Sequence, residues 1–360
     1  MTEAGTAPLP GAGGRKAELQ RLNVLFCLLV VFIHCASHPL TFLSHERLAY
    51  RVILTLQWLS FTAVPGFFLL SGIKLTLPGP REEGLRAFYR RRLLRIVPPY
   101  LAANTLYYLY FLLRGYYALS LSGYLGYLLR FDLSGQFYFL LPLLQFVLLA
   151  PLSRRLLQRL DMRVLLSASL LLTWLSLLYL DRISRALFPG LSLSVSSRSL
   201  TSYLFYYMAG CAIGLHYDRF LASLAKGRER LYVLLPFFAF ADAFLAISRY
   251  ALGKEVFFLP VVHSLYISVC ALCLFSLCAL GKKPPGRALR ALDSVSFSVY
   301  LYHCLTIAVF DRLFSADLER YCIPLFMLRV PVTVVVTAAL CLFWHRYIIP
   351  FHKTSTGGRK

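Results

Sequence analysis

Ten largely apolar runs punctuate this chain, at about 22–40, 52–75, 96–113, 135–152, 164–180, 200–216, 231–248, 257–280, 295–311 and 324–349. A helix needs roughly 20 such residues to cross the hydrocarbon of a bilayer, and most of the runs meet that length. Short polar segments separate them. No internal repeat stands out, and no linker is long enough to divide the chain into separate domains. The pattern predicts an all-α fold, a polytopic membrane helix bundle of about ten transmembrane helices filling residues 21–350. Residues 1–20 and 351–360 read as disordered cytoplasmic tails. The first has no apolar core, so it does not resemble a cleaved signal peptide.

Composition excludes a soluble domain, since 58% of residues are hydrophobic, 15% are charged and the mean hydropathy is +0.65. A soluble protein of 360 residues could not hide that much apolar surface. The net charge of +22 raises the question of nucleic acid. The basic residues, however, fall in short loops and not along one aromatic-studded face, so nucleic acid is not the expected partner. With the N-terminus inside, 26 of the 38 Lys and Arg residues fall on the cytoplasmic side. That asymmetry predicts both termini inside. The nine cysteines lie almost entirely within apolar runs. Even Cys270-x-x-Cys273 sits inside one, where cysteine acts as a small apolar filler.

Arg90, Arg91, Arg92 and Arg95 crowd the mouth of the third run. On a helix, Arg91 and Arg95 share a face with Arg92, so their planar forks can converge on one phosphate group. Flanking arginines also serve topology alone, satisfied by lipid headgroups. Ionisable residues inside spans are candidates for function. Asp242 is such an acid, as a relay, a ligand or a structural partner of a neighbouring helix. His34 lies beyond the middle of the first run, His303 near the middle of the ninth and His263 in the eighth. Histidine suits general base work because it titrates near neutrality. The scattered set lacks the spacing of a metal site, and none is expected.

Four segments in order resemble the acyltransferase-3 family of integral membrane acyltransferases. They are the Leu22–His34 span ending in Val-Val-x-x-His, then Pro65-Gly66-Phe67-Phe68-Leu69-Leu70-Ser71-Gly72, then Arg92-Leu93-Leu94-Arg95 before Pro98-Pro99-Tyr100, and finally Tyr300-Leu301-Tyr302-His303. The resemblance implies transfer of an acyl group, usually acetyl, from cytoplasmic acyl-CoA to a hydroxyl of a cell-envelope glycan or lipid-linked acceptor in a bacterial cytoplasmic membrane. It implies a catalytic His34, a CoA-binding role for Arg92 and Arg95 joined by Arg91, and supporting roles for Ser71, His303 and Tyr300. Asp242 is carried as a further supporting candidate. Two departures stand out. Gln20 and Asn23 replace the Asp-x-x-Arg that opens the first span in many members, and Gly66 and Ile73 stand where bulkier residues are common.

Chemistry and resemblance converge on one mechanism. The arginines hold the polyanionic donor, its thin arm enters between helices, and His34 takes the proton of the acceptor hydroxyl. A transient acyl-histidine is compatible with the same residues. The rival reading is a transporter or flippase for a lipid-linked sugar or polysaccharide, which would depend on Asp242 and a full path of lining residues.

Overall fold

The computed structural model describes residues 16–77, 84–281 and 283–347. It is helical throughout, with no strand among the described residues. In order, the helices are α1 (Ala17–Phe42), α2 (Leu48–Ser60), α3 (Ala63–Thr76), α4 (Leu85–Leu113), α5 (Leu121–Arg130), α6 (Leu140–Arg159), α7 (Met162–Leu175), α8 (Asp181–Leu187), α9 (Leu204–Leu215), α10 (Tyr217–Tyr250), α11 (Leu259–Leu280), α12 (Arg287–Leu313) and α13 (Cys322–Tyr347). Of the expected tails, residues 1–15 and 351–360 lie outside the described residues, whereas 17–20 are already the first turn of α1.

Eight stretches among the described residues are long and apolar enough to cross a membrane. The other two of the ten expected runs fall on α4, whose first turns carry the arginines, and on the shorter apolar stretch Leu200–Leu215. The second run is interrupted: a tight turn at Phe61–Thr62 separates α2 from α3. The third begins earlier than its apolar residues suggest, because α4 starts at Leu85 and continues through Pro98 and Pro99. Those prolines have no N–H to give the carbonyls one turn back, Leu94 and Arg95. The arginine cluster is therefore helical and not a loop. The fifth run bridges α7 and α8 through a wider π-helical turn at Ser176–Leu180.

α1 is the central element and packs on α2, α3, α11, α12 and α13. It runs parallel to α12 in nearly constant register: Asn23 bonds Asp293, Cys27 bonds the carbonyl of Ser296, and the rings of His34 and His303 meet. α13 returns antiparallel to α12, with Thr337 bonded to Thr306 and Arg329 to Asp311. The start of α1 and the end of α13 therefore lie at the same end of the bundle. Close approach is densest between α3 and α9. A Cβ on Gly72 would sit 2.1 Å from the Tyr207 carbonyl oxygen, and one on Gly210 would sit 2.1 Å from that of Leu69. Small residues here replace bulk with backbone-to-backbone contact, the usual way helices associate where no water drives them together. On α10, by contrast, Val233, Phe237, Phe240 and Phe244 are exposed, as a lipid-facing surface requires.

Two polar ties fix the start of α1. Arg21 donates to the carbonyls of Cys278, Gly281 and Lys283, closing the end of α11. The Asn23 amide donates to Asp293 and to Ser296 at 2.7 and 2.8 Å. Where Asp-x-x-Arg is missing from the sequence, an amide and a displaced arginine hold the helix entrance instead.

Candidate active site

The arginines at the start of α4 line a cavity of about 350 Å³. Arg91, Arg92 and Arg95 face Ser71 and Lys74 of α3, Tyr207 of α9 and an apolar wall from α6. The i, i+3 and i, i+4 spacing that joins the arginines on one helical face also points them into one space. Lys74, one turn after Ser71, adds a fourth cation to the lining. No carboxylate lines this cavity among the described residues. Such a set, held in a low-dielectric wall, attracts a multiply charged anion.

A second cavity of about 120 Å³ shares Ser71, Lys74 and Leu143 with the first and continues to Asn23, Ser296, Phe297 and Tyr300. Ser71 and Lys74 thus stand at the junction. Both cavities open at the end of the bundle where α1 and α12 begin. From Tyr300, α12 leads in one turn to His303 and Cys304.

His303 is fully buried, with its ring centroid 5.0 Å from that of His34. His34 lies 17 positions along α1 and His303 16 along α12, roughly 26 and 24 Å from the helix starts. The parallel register of the two helices brings these distant residues together. The Nδ1 of His303 lies 2.8 Å from the Tyr300 carbonyl and 3.1 Å from that of Val299. A carbonyl only accepts, so Nδ1 carries the proton and Nε2 is left as a base. Nε2 lies 3.3 Å from the Cys304 sulfur, whose S–H donates to it. The His34 imidazole makes no such bond among the described residues; it packs near Gly135, where a Cβ would come 3.8 Å from its Cε1.

The turn carrying His303 is held from outside its own helix. The Tyr107 hydroxyl sits between the Leu301 carbonyl and the Leu305 N–H, two groups that an α-helix normally pairs. The Gln136 amide donates to both the Tyr107 hydroxyl and the Leu301 carbonyl, at 2.9 and 3.1 Å, and Tyr300 donates to the Gln136 carbonyl. Gln136 belongs to a 3₁₀ turn, Gly135–Phe139, that leads into α6. The same turn therefore borders both histidines.

His34, His303 and Cys304 also form a group whose nitrogen and sulfur atoms lie within 4.8 Å of one another. That is close enough to surround a metal ion. The thiol and imidazole already satisfy each other, however, and the charge of Arg329 reaches both His34 and Cys304.

The pattern that defines one protein family, described as an acyltransferase domain, matches residues 17–345, from the first residue of α1 almost to the end of α13. The chain belongs to the acyltransferase-3 family. No curated protein and no solved structure matches it. Membership and the apolar helices together make it a multi-pass membrane acyltransferase. Within this acyltransferase, the structure groups His34 with His303, and Arg91, Arg92 and Arg95 with Ser71, and links the groups through Tyr300.

Asp242 does not join them. It is fully buried on α10 and bonds His263 of α11 at 2.7 Å, and His263 packs on Trp58 with ring centroids 4.4 Å apart. This is a separate polar cluster. Sequence reasoning also passed over Arg329 and Asp311. Arg329 is buried in α13, bonds the Cys35 carbonyl at 3.1 Å and pairs with Asp311 of α12. An arginine deep inside the last apolar run, far from Arg346 at its end, was the signal available, since intramembrane charge is rare and paired.

Proposed function

We propose that this acyltransferase moves an acyl group, acetyl in the simplest case, from cytoplasmic acyl-CoA to a hydroxyl of a cell-envelope glycan or lipid-linked acceptor. One observation carries the reading: a cation-lined cavity shares Ser71, Lys74 and Leu143 with a second cavity that reaches Tyr300, one helical turn before His303 and its neighbour His34. The phosphates of CoA suit Arg91, Arg92, Arg95 and Lys74, because guanidinium forks match phosphate oxygens two at a time. A pantetheine arm is thin enough to pass Ser71 and Leu143 towards Tyr300. His34 then serves as general base for the acceptor hydroxyl, which attacks the thioester carbonyl. The enclosing apolar helices keep water from taking the place of that hydroxyl.

In this reading the arginine end faces the cytoplasm of a bacterial cytoplasmic membrane. The shared end of α1 and α13 then puts both termini on that side, in keeping with the Lys and Arg asymmetry of the loops. The test is CoA release and acyl transfer by purified protein, wild type beside His34→Ala and Arg95→Ala. Slow turnover of acetyl-CoA that disappears in His34→Ala and needs far more donor in Arg95→Ala supports the proposal. Absence of CoA binding, or turnover that survives His34→Ala, overturns it and leaves transport as the leading reading.

A further inference from the structure

Building on the acyltransferase reading, we propose that Cys304 is a nucleophile that carries the acyl group between donor and acceptor. His303 acts as its base and His34 as the base for the acceptor. Nucleophilic catalysis needs a nucleophile, a base bonded to it, and a group that fixes the base. All three are present in one turn of α12. The Cys304 thiol donates to His303 Nε2 at 3.3 Å, and the carbonyls of Tyr300 and Val299 hold the opposite ring nitrogen. His303 cannot exchange its nitrogens without giving up those backbone bonds, so its basic nitrogen stays committed to the sulfur. Tyr107 and Gln136 brace the same turn from outside.

The location fits a relay. Tyr300 lines the inner cavity, and Cys304 follows it by one helical turn, on the same side of α12. A thioester arriving past Tyr300 meets the sulfur next. The reactive atoms of His34, His303 and Cys304 all lie within 4.8 Å, so the second base stands beside the acylated position.

The chemistry balances in two displacements. In the first, the Cys304 S–H proton passes to His303 Nε2, the sulfur bonds the acyl carbon, and the bond from that carbon to the CoA sulfur breaks. The departing CoA sulfur takes the proton from His303. In the second, His34 takes the proton of the acceptor hydroxyl, the oxygen bonds the acyl carbon, and the bond to Cys304 breaks. The proton held on His34 then returns to the Cys304 sulfur. No oxidant, reductant or metal is needed. The first exchange turns one thioester into another, so the acyl group keeps its transfer potential while moving to the centre of the bundle. CoA is released before acceptor attack, so the acceptor need not reach the donor cavity.

The test uses the full chain in lipid nanodiscs with radiolabelled acetyl-CoA and no acceptor, followed by acid quench and peptide mapping. Label on the peptide containing Cys304, released by neutral hydroxylamine, is the expected result. Cys304→Ala loses that label and at least 100-fold of transfer, while still binding CoA as a check on folding. Cys304→Ser retains an acylation site but turns over slowly, because a serine alkoxide leaves the acyl carbon less readily than a thiolate does. Wild-type protein that transfers acetyl groups with no label on Cys304, or Cys304→Ala that transfers within about three-fold of wild type, overturns the relay and leaves direct attack at His34 intact. Wild-type protein that neither binds nor consumes acetyl-CoA overturns the acyltransferase reading and the relay together.

Discussion

Arginine sits in two different settings at the two ends of the bundle. Where α1 and α12 begin, three arginines and Lys74 line one cavity with no acid among the described lining residues. Where α12 ends and α13 begins, buried Arg329 has Asp311 as its counterion and the Cys35 carbonyl as a second acceptor. The first arrangement gathers its cations around one space. The second pairs its arginine with a carboxylate of α12 and ties α1, α12 and α13 together beside the histidine pair. The difference shows that a membrane arginine cannot be assigned to substrate or scaffold by type alone. What decides is what the fold places around it, a cavity at one end and a carboxylate partner at the other.

Substitutions can break that contrast, beginning between the two ends. His34→Ala is expected to cut acyl transfer about 10²- to 10⁴-fold, the usual cost of losing a general base, with little effect on thermal stability. Measuring transfer rate beside detergent melting temperature checks both halves. A rate within ten-fold of wild type would remove His34 from the chemistry.

At the compensated end, Arg329→Met leaves Asp311 facing an apolar partner and should destabilise the protein by about 3 kcal/mol. The double variant Arg329→Met, Asp311→Leu should recover most of that loss, since no uncompensated charge remains. Denaturant or thermal unfolding of the two variants gives the coupling. If Arg329→Met instead leaves stability unchanged and weakens donor binding, the two ends do not differ as argued.

At the cation-lined end the expected order reverses, with binding affected and stability spared. Arg95→Ala should raise the acetyl-CoA concentration needed for half-maximal rate by about 10- to 100-fold, corresponding to about 1.5–3 kcal/mol for one charge-assisted contact. Added salt should weaken donor binding in the wild type and do so less in the variant. A salt-insensitive donor affinity would argue that the cavity serves another ligand.

The smallest effect is expected at the brace. Tyr107→Phe removes the hydroxyl between Leu301 and Leu305 and should cost about 1 kcal/mol of stability. Transfer should slow by more than CoA affinity falls, because the brace holds the His303 turn and not the donor cavity. Equal changes in both would reduce Tyr107 to general packing.

Much of this could be read from the chain. The apolar runs forecast helices, and the spacing of Arg91, Arg92 and Arg95 forecast one shared face that the cavity lining bears out. Other features had no local sign. Cys304 looked like the other apolar fillers, because its distinction is a hydrogen bond whose geometry depends on how the His303 ring is turned. Gln136 and Tyr107 lie 29 positions apart, and their meeting at Leu301 depends on where the Gly135–Phe139 turn docks. Asp242 was the conspicuous acid, yet its partner is His263, in a cluster of its own.

By itself, then, the sequence determined the solvent, the helical class and the family. Each of these follows from local composition, spacing or motif. The tertiary structure decided that Arg329 pairs with Asp311 and that His34 and His303 are neighbours. Those outcomes depend on helix register across long separations: parallel packing of α1 on α12 makes His34 and His303 neighbours, and antiparallel return of α13 hands Arg329 its carboxylate. Register is set by packing of whole faces, including the glycine contact of α3 on α9, and no single segment of the chain encodes it.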